Sequence, residues 1–185
     1  AQALSLGGAE YYSYLSGSGC TAVAGKDDAA AVEEVLEAMT AMGFEQEDVQ
    51  WVFSLCAAVL HLGNVRFQPI DAGEGSSVDA NSQNAVACAA MYLGVEPPSL
   101  SAALVERQIA IRGEVQHMRN KRAEAAEAAE ALSKAAYSHL FDELVRRINA
   151  AVGGERGVCI GVLDIFGFEV FETNSFEQLC INFAN

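Results

Sequence analysis

Gly157-Val158-Cys159-Ile160-Gly161-Val162-Leu163-Asp164 runs directly into Ile165-Phe166-Gly167-Phe168-Glu169. An apolar run of this length, ending in a carboxylate and followed by a glycine between bulky residues, reads as a buried strand that delivers a loop to a ligand. In an open sheet, ligands sit beyond the carboxyl ends of the strands, which is where Asp164 falls. An aspartate there can serve a magnesium ion beside nucleotide phosphates, because a hard cation takes oxygen ligands. Gly167 can bring its N–H close to a phosphate oxygen. The same spacing also fits a strand that ends in a solvated aspartate and a tight turn, so the pattern by itself defines only a candidate phosphate or metal loop. Beyond it, Asn174-Ser175-Phe176-Glu177-Gln178 sets Asn or Ser three residues before Glu or Gln, a capping-box pattern that predicts a helix start.

Asp164-Ile165-Phe166-Gly167-Phe168-Glu169 together with Asn174-Ser175-Phe176-Glu177-Gln178-Leu179-Cys180-Ile181-Asn182 resembles the switch II loop and the start of the relay helix in myosin motor domains. The resemblance implies that Asp164 lies near the magnesium of a bound Mg-ATP, through water. It implies that Gly167 offers its amide to the γ-phosphate and that Glu169 pairs with an arginine of switch I, which makes Gly167 and Glu169 the catalytic candidates. The helix from about Ser175 would carry the loop's position toward a lever arm.

Working back toward the N-terminus, Gly153-Gly154 ends a long helix expected from about Lys121 to Val152, with Leu132, Ala135, Ala136, Leu140, Leu144, Val145 and Ile148 as its core stripe. His139 and the pair Arg146-Arg147 read as a solvated face. Lys134-Ala135-Ala136-Tyr137-Ser138-His139-Leu140-Phe141-Asp142 resembles the family's KALYxRLFDWLV, with Glu143 where tryptophan is usual. Gln108 to Val115 reads as an extended segment broken by Gly113, with Glu114 a solvated acid on an exposed turn. By resemblance, Arg112-Gly113-Glu114 belongs to the myosin cardiomyopathy loop, which touches actin. Glu114 lies sixteen positions before Glu130, where Glu130-Ala131-Leu132-Ser133-Lys134 stands for the family's DALAK. That is the family's position for an acidic or phosphorylatable residue, and a glutamate supplies the charge without a kinase. His117 to Arg122 is the one basic patch and departs from the proline-containing stretch usual in the family.

The first 107 residues read as helices and loops. A Gly/Ser- and Tyr-rich start is followed by a helix capped by Asp27 or Asp28 that runs to Met42, with Val32, Val35, Leu36 and Met39 as a core stripe. A second helix from about Glu45 carries Val49, Val52, Phe53, Cys56, Val59 and Leu60 and ends at Gly63-Asn64. His61 in its last turn reads as a packed structural histidine. Leu60 to Phe67 resembles the family's LHLGNIxF, and Glu10 to Cys20 its YxYLNQSGC segment after switch I. A short strand over Val65 to Gln68, a surface loop over Asp71 to Ser77, a helix from about Asn81 to Gly94 and a helix opened by Pro97-Pro98 complete the stretch. Gly19-Cys20-Thr21-Ala22-Val23-Ala24-Gly25-Lys26-Asp27 looks like a Walker A loop. It fails as one, because five residues separate the glycines and an aspartate stands where Ser or Thr should meet magnesium.

Composition narrows the function classes. The 185 residues are 51% hydrophobic, enough for one sizeable core in one domain or part of a larger one. A net charge of -14 argues against nucleic acid or an anionic membrane as a direct partner, and no apolar stretch reaches the roughly 18 residues of a spanning helix. The charge also leaves no attraction to acidic actin, so basic actin contacts are expected outside this segment. The five cysteines at 20, 56, 88, 159 and 180 form no CxxC pair and no zinc spacing, and Cys56, Cys88 and Cys159, in apolar surroundings, read as reduced core residues of a cytosolic protein.

The expected fold class is α/β, predominantly helical: part of a P-loop NTPase-type myosin motor, with a helical upper 50-kDa subdomain and one central-sheet strand leading to switch II. The resemblance implies a post-switch I loop (1–26), helical upper 50-kDa region (27–107), actin-contact loop (108–120), long helix (121–152), central strand (157–164), switch II (165–172) and relay-helix start (173–185). The family's GESGAGKT phosphate loop, switch I, converter and IQ motifs are absent, so the chain is expected to be a fragment, inactive alone, of an actin-activated Mg-ATPase. It further implies actin filaments as partner, calmodulin-like light chains on an absent neck, and a cytoplasmic, cytoskeletal location. Two other readings remain: a catalytically inactive myosin-like actin-binding scaffold, and a non-motor nucleotide-switch protein.

Overall fold

In a computed structural model, residues 4, 6–70, 74–111, 114–153 and 167–184 are described. They fall into two units, 1–152 and 153–185, each taken by itself. The first opens with a single 3₁₀ turn and a one-turn helix α1 (Ser13–Ser16), in keeping with its glycine-rich sequence. Helices α2 (Asp28–Ala41) and α3 (Gln46–Gly63) follow, then strands β1 (Phe67–Ile70) and β2 (Gly75–Val78). Helices α4 (Gln83–Leu93) and α5 (Pro97–Val105), strands β3 (Glu106–Ile111) and β4 (Glu114–Arg119), and the long helix α6 (Arg122–Val152) complete it.

Local chemistry sets the boundaries. The Asp27 carboxylate accepts from the N–H groups of Ala29 and Ala30 at 3.0 and 3.1 Å, satisfying two of the unpaired donors that begin a helix. The Glu45 N–H donates to Asp48 Oδ2 at 3.0 Å at the start of α3. Gly94 stops α4 in the left-handed region (φ 70°), where only glycine sits without a Cβ penalty, and the Val95 N–H reaches back to the Ala90 carbonyl at 2.9 Å. Pro97 and Pro98 open α5, where a missing N–H costs nothing.

The main core gathers Leu62, Val65, Phe67, Val78, Ala85, Val86, Ala89, Ala90, Leu100, Leu104, Ala125 and Ala129. Alanines dominate the facing surfaces of α3 and α4, with Ala57, Ala58, Ala89 and Ala90 almost wholly buried, so the core depends on close backbone approach. A smaller cluster joins Met39, Val52 and Leu140. His61 is 2% exposed between Tyr12, edge-on at 5.4 Å, and Tyr92, stacked at 5.9 Å. It is the packed structural histidine that its setting predicts.

Four expectations need correction. The 71–77 stretch is not all loop, because Gly75–Val78 is a strand antiparallel to β1 in the register Phe67↔Val78 to Ile70↔Gly75. Its Gly-Ser-Ser composition offers no apolar period by which a strand could be read. The α2 stripe is not core: Val32, Val35 and Leu36 are 45%, 50% and 36% exposed, and only Met39 is buried. The α6 stripe is buried at Ala136 and Leu140 but surfaces at Val145 and Ile148. Arg147 is not simply solvated; it pairs with Glu143 and Asp48 and lies over the rings of Phe44 and Trp51 at 6.0 and 5.7 Å. Strand 157–164, the free thiol reading of Cys159 and residues 165–166 lie outside the described residues. Cys20, Cys56, Cys88 and Cys180 are free thiols, and no helix among the described residues is long and apolar enough to cross a membrane.

Candidate functional site: a loop gripped by a helix

The second unit contains a loop, 167–175, and helix α7 (Phe176–Ala184). Residues four apart lie above one another on a helix, so Gln178 and Asn182 share one face. Both reach Glu169. Asn182 Oδ1 accepts from the Glu169 N–H at 2.8 Å, and Asn182 Nδ2 donates to the Glu169 carbonyl at 2.7 Å. A primary amide used this way satisfies donor and acceptor of one residue, as a neighbouring strand would. One turn earlier, Gln178 Nε2 donates to Glu169 Oε2 at 2.5 Å.

Asn174 repeats the arrangement. Its Oδ1 accepts from the Phe171 N–H at 3.0 Å and its Nδ2 donates to the Phe171 carbonyl at 2.7 Å. The capping-box pattern, which offers Asn174 or Ser175 as the cap, places the helix start well; Ser175 directly precedes Phe176, while the Asn174 amide closes the preceding loop. Sequence reading missed Asn174, Gln178 and Asn182 as a set. Their signal was three side-chain amides at four-residue intervals, 174, 178 and 182.

Gly167 is exposed, and a Cβ built there would meet nothing within 4 Å. Phe168, Val170 and Phe171 on the same loop are also exposed. Asp164, the magnesium candidate, lies outside the described residues. Among the described residues, no group of three or more His, Cys, Asp or Glu is placed to hold a metal ion.

The decoy at 19–27 is disposed of by geometry, because the Asp27 carboxylate already occupies the helix N–H groups that a phosphate would need.

In the first unit, β3 and β4 form an antiparallel ribbon in the register Glu106↔Arg119 to Ile111↔Glu114. Arg112 and Gly113, the two positions between β3 and β4 in the sequence, lie outside the described residues, and Glu114 opens β4. The base of the ribbon is fastened twice. Arg107 pairs with Glu124 at 2.8 Å; the Lys121 N–H and the Arg107 guanidinium hold the Glu124 carboxyl below its ordinary range. Asn120, 5% exposed, donates its Nδ2 to the Leu104 carbonyl at 3.0 Å and its N–H to the Val105 carbonyl at 2.8 Å, while its own carbonyl accepts from Ser76 Oγ at 2.8 Å. Glu130 is exposed on α6.

A family model for the myosin head (motor domain) matches residues 1–185. The chain is 40% identical over 184 residues to unconventional myosin-Vc of Homo sapiens, covering 98% of this chain and 10% of that protein. It is 40% identical over 180 residues to unconventional myosin heavy chain 6 of Caenorhabditis elegans, covering 96% of this chain and 8% of that protein. Against unconventional myosin IC of Drosophila melanogaster the identity is 39% over 179 residues, covering 94% of this chain and 17% of that protein. The chain thus spans a small part of the length of these relatives. With the family model matched from end to end and relatives at this identity along nearly its whole length, the chain belongs to the myosin head (motor domain) family.

Proposed function

We propose that the intact protein is an actin-based motor that couples Mg-ATP hydrolysis to movement along actin filaments. In this reading the chain supplies switch II, the first turns of the relay helix and an actin-contact loop on a P-loop NTPase-type scaffold, with 157–164 as a central strand. The observation that carries the reading is the hold of Gln178 and Asn182 on Glu169. Three hydrogen bonds of roughly 0.5–1.5 kcal/mol each bind loop to helix, so a shift of the loop either carries the helix with it or breaks them. This is the coupling that a phosphate-sensing loop needs to export its state.

Asp164 would hold the magnesium through water, and Gly167 would donate its amide to the γ-phosphate. The remaining phosphate and metal ligands would come from elsewhere in the motor. When bound, Mg-ATP supplies a phosphoryl group whose transfer depends on positioning and charge stabilisation more than on a strong base. Glu169, held by α7, would present its carboxylate to an arginine of switch I and close the site against water. Arg112, Gly113 and Glu114 would touch actin, with Glu114 giving a permanent charge. The basic actin contacts and the light-chain sites would lie outside this acidic segment, and the motor would work in the cytoplasm.

In the intact motor, Glu169→Ala should leave nucleotide binding in place and abolish actin-activated turnover; a normal steady-state rate refutes the role given to Glu169. The 185 residues alone should show no saturable ATPase, and measurable saturable hydrolysis would overturn that expectation. A full-length protein that binds actin without any turnover would be the inactive scaffold instead.

A further inference from the structure

Helix α2 stands apart from the other long helices of its unit. Of its fourteen residues only Met39 is buried, whereas α3, α4 and α6 each bury at least four. Isolated helices of about 12–15 residues are marginal in water, so a helix of this length with an open apolar face is stabilised by a cover. The open face is Val32, Val35 and Leu36, at helical spacing and 45%, 50% and 36% exposed. Glu33 and Glu37 lie one position beyond Val32 and Leu36 and form a carboxylate row along one border of that face. From Lys26 to Ala41 the single cation is Lys26, against Asp27, Asp28, Glu33, Glu34 and Glu37.

We propose that this face of α2 docks a basic amphipathic helix of a partner protein. The apolar side of the partner covers Val32, Val35 and Leu36, and its lysines or arginines meet Glu33 and Glu37. Charge selects this occupant: a second copy of the chain would set like carboxylate rows against each other, in a molecule that already carries -14. Apolar contact supplies the affinity and the acidic border sets the sign and orientation of the partner.

The test uses the full-length protein and two labelled synthetic peptides of about 18 residues with the same leucine and lysine content. One is patterned as an amphipathic helix and the other is scrambled. The amphipathic peptide should bind about tenfold tighter, by fluorescence anisotropy. Val35→Ser combined with Leu36→Ser should erase that preference, and Glu33→Gln combined with Glu37→Gln should weaken binding and flatten its salt dependence. All four positions are exposed, so circular dichroism should confirm unchanged folding. Equal binding of the two peptides, or a preference that survives the serine pair, overturns the proposal. So does protection of this face in the full-length protein by another part of the same chain, or self-association that the serine pair abolishes.

Discussion

Asn182 holds Glu169 by both of its backbone groups, accepting from its N–H at 2.8 Å and donating to its carbonyl at 2.7 Å. The pairing fixes the loop after Gly167 to one face of α7, and Gln178 adds the carboxylate to the same hold. Replacing Asn182 with Leu removes both bonds and leaves the Glu169 amide open to water. Hydrogen exchange at that amide should speed up by about tenfold, the equivalent of about 1.4 kcal/mol. Asn182→Asp, which keeps the acceptor, should retain most of the protection. Equal exchange in all three proteins would show that the contact does not form.

The cluster around Glu143 makes a pH prediction. Hydrogen bonds from Arg146 and then Arg147 hold its carboxyl down to about 2, against an ordinary value of 4.5. A carboxyl depressed on folding contributes stability that is fully present above its unfolded value and is lost as pH falls toward its folded value. The difference in melting temperature between the native chain and Glu143→Gln should therefore be constant above about pH 5. It should shrink between about pH 4.5 and about pH 2. A gap unchanged across that window would mean that the two arginines do not act on this carboxylate.

Arg147 ties α6 to α3 through Asp48 and lies over the ring of Trp51, the only tryptophan in the chain. Arg147→Ala should change the intrinsic fluorescence of the native protein and lower its melting temperature by a few degrees, through lost packing as well as lost charge. Arg146→Ala, on the neighbouring position, should leave the emission unchanged. Identical spectra for the native chain and Arg147→Ala would contradict that contact.

Asn120, between β4 and α6 in the chain, is tied to the end of α5 and to strand β2 by buried hydrogen bonds. Asn120→Leu keeps the number and branching of side-chain heavy atoms but leaves the Leu104 carbonyl without its donor, at a cost of about 1–3 kcal/mol. Urea unfolding should show a lower midpoint with an unchanged slope. No shift in the midpoint would place the side chain in water.

Much of the frame was legible in the residues. Asp27, Gly94 and the Pro97-Pro98 pair fixed helix ends because caps and breakers act within a turn of their own position. The apolar setting of His61 marked it as packed. Periodicity failed where a partner was needed to complete the surface: the Val32, Val35 and Leu36 stripe has the helical spacing of a core face yet meets solvent. Gly75 to Val78 carries no apolar alternation, and became a strand only because Phe67 to Ile70 offered it a ladder.

The candidate site divides in the same way. DIFGFE and NSFEQLCIN carried the family and named Asp164, Gly167 and Glu169, since such a run is local and specific. Which side chains grip Glu169 was decided by tertiary structure. Asn182 lies thirteen positions from Glu169, and no sequence period joins a loop to the helix that folds back on it. The amide of Asn174 could serve a helix start or a loop closure, and only the path of the backbone around Phe171 chose between them. Sequence alone determined where helices begin and end and which family the chain resembles, because those signals act over a few bonds. The three-dimensional fold decided what each exposed stripe, arginine and amide touches, because contact depends on groups that the chain order keeps apart.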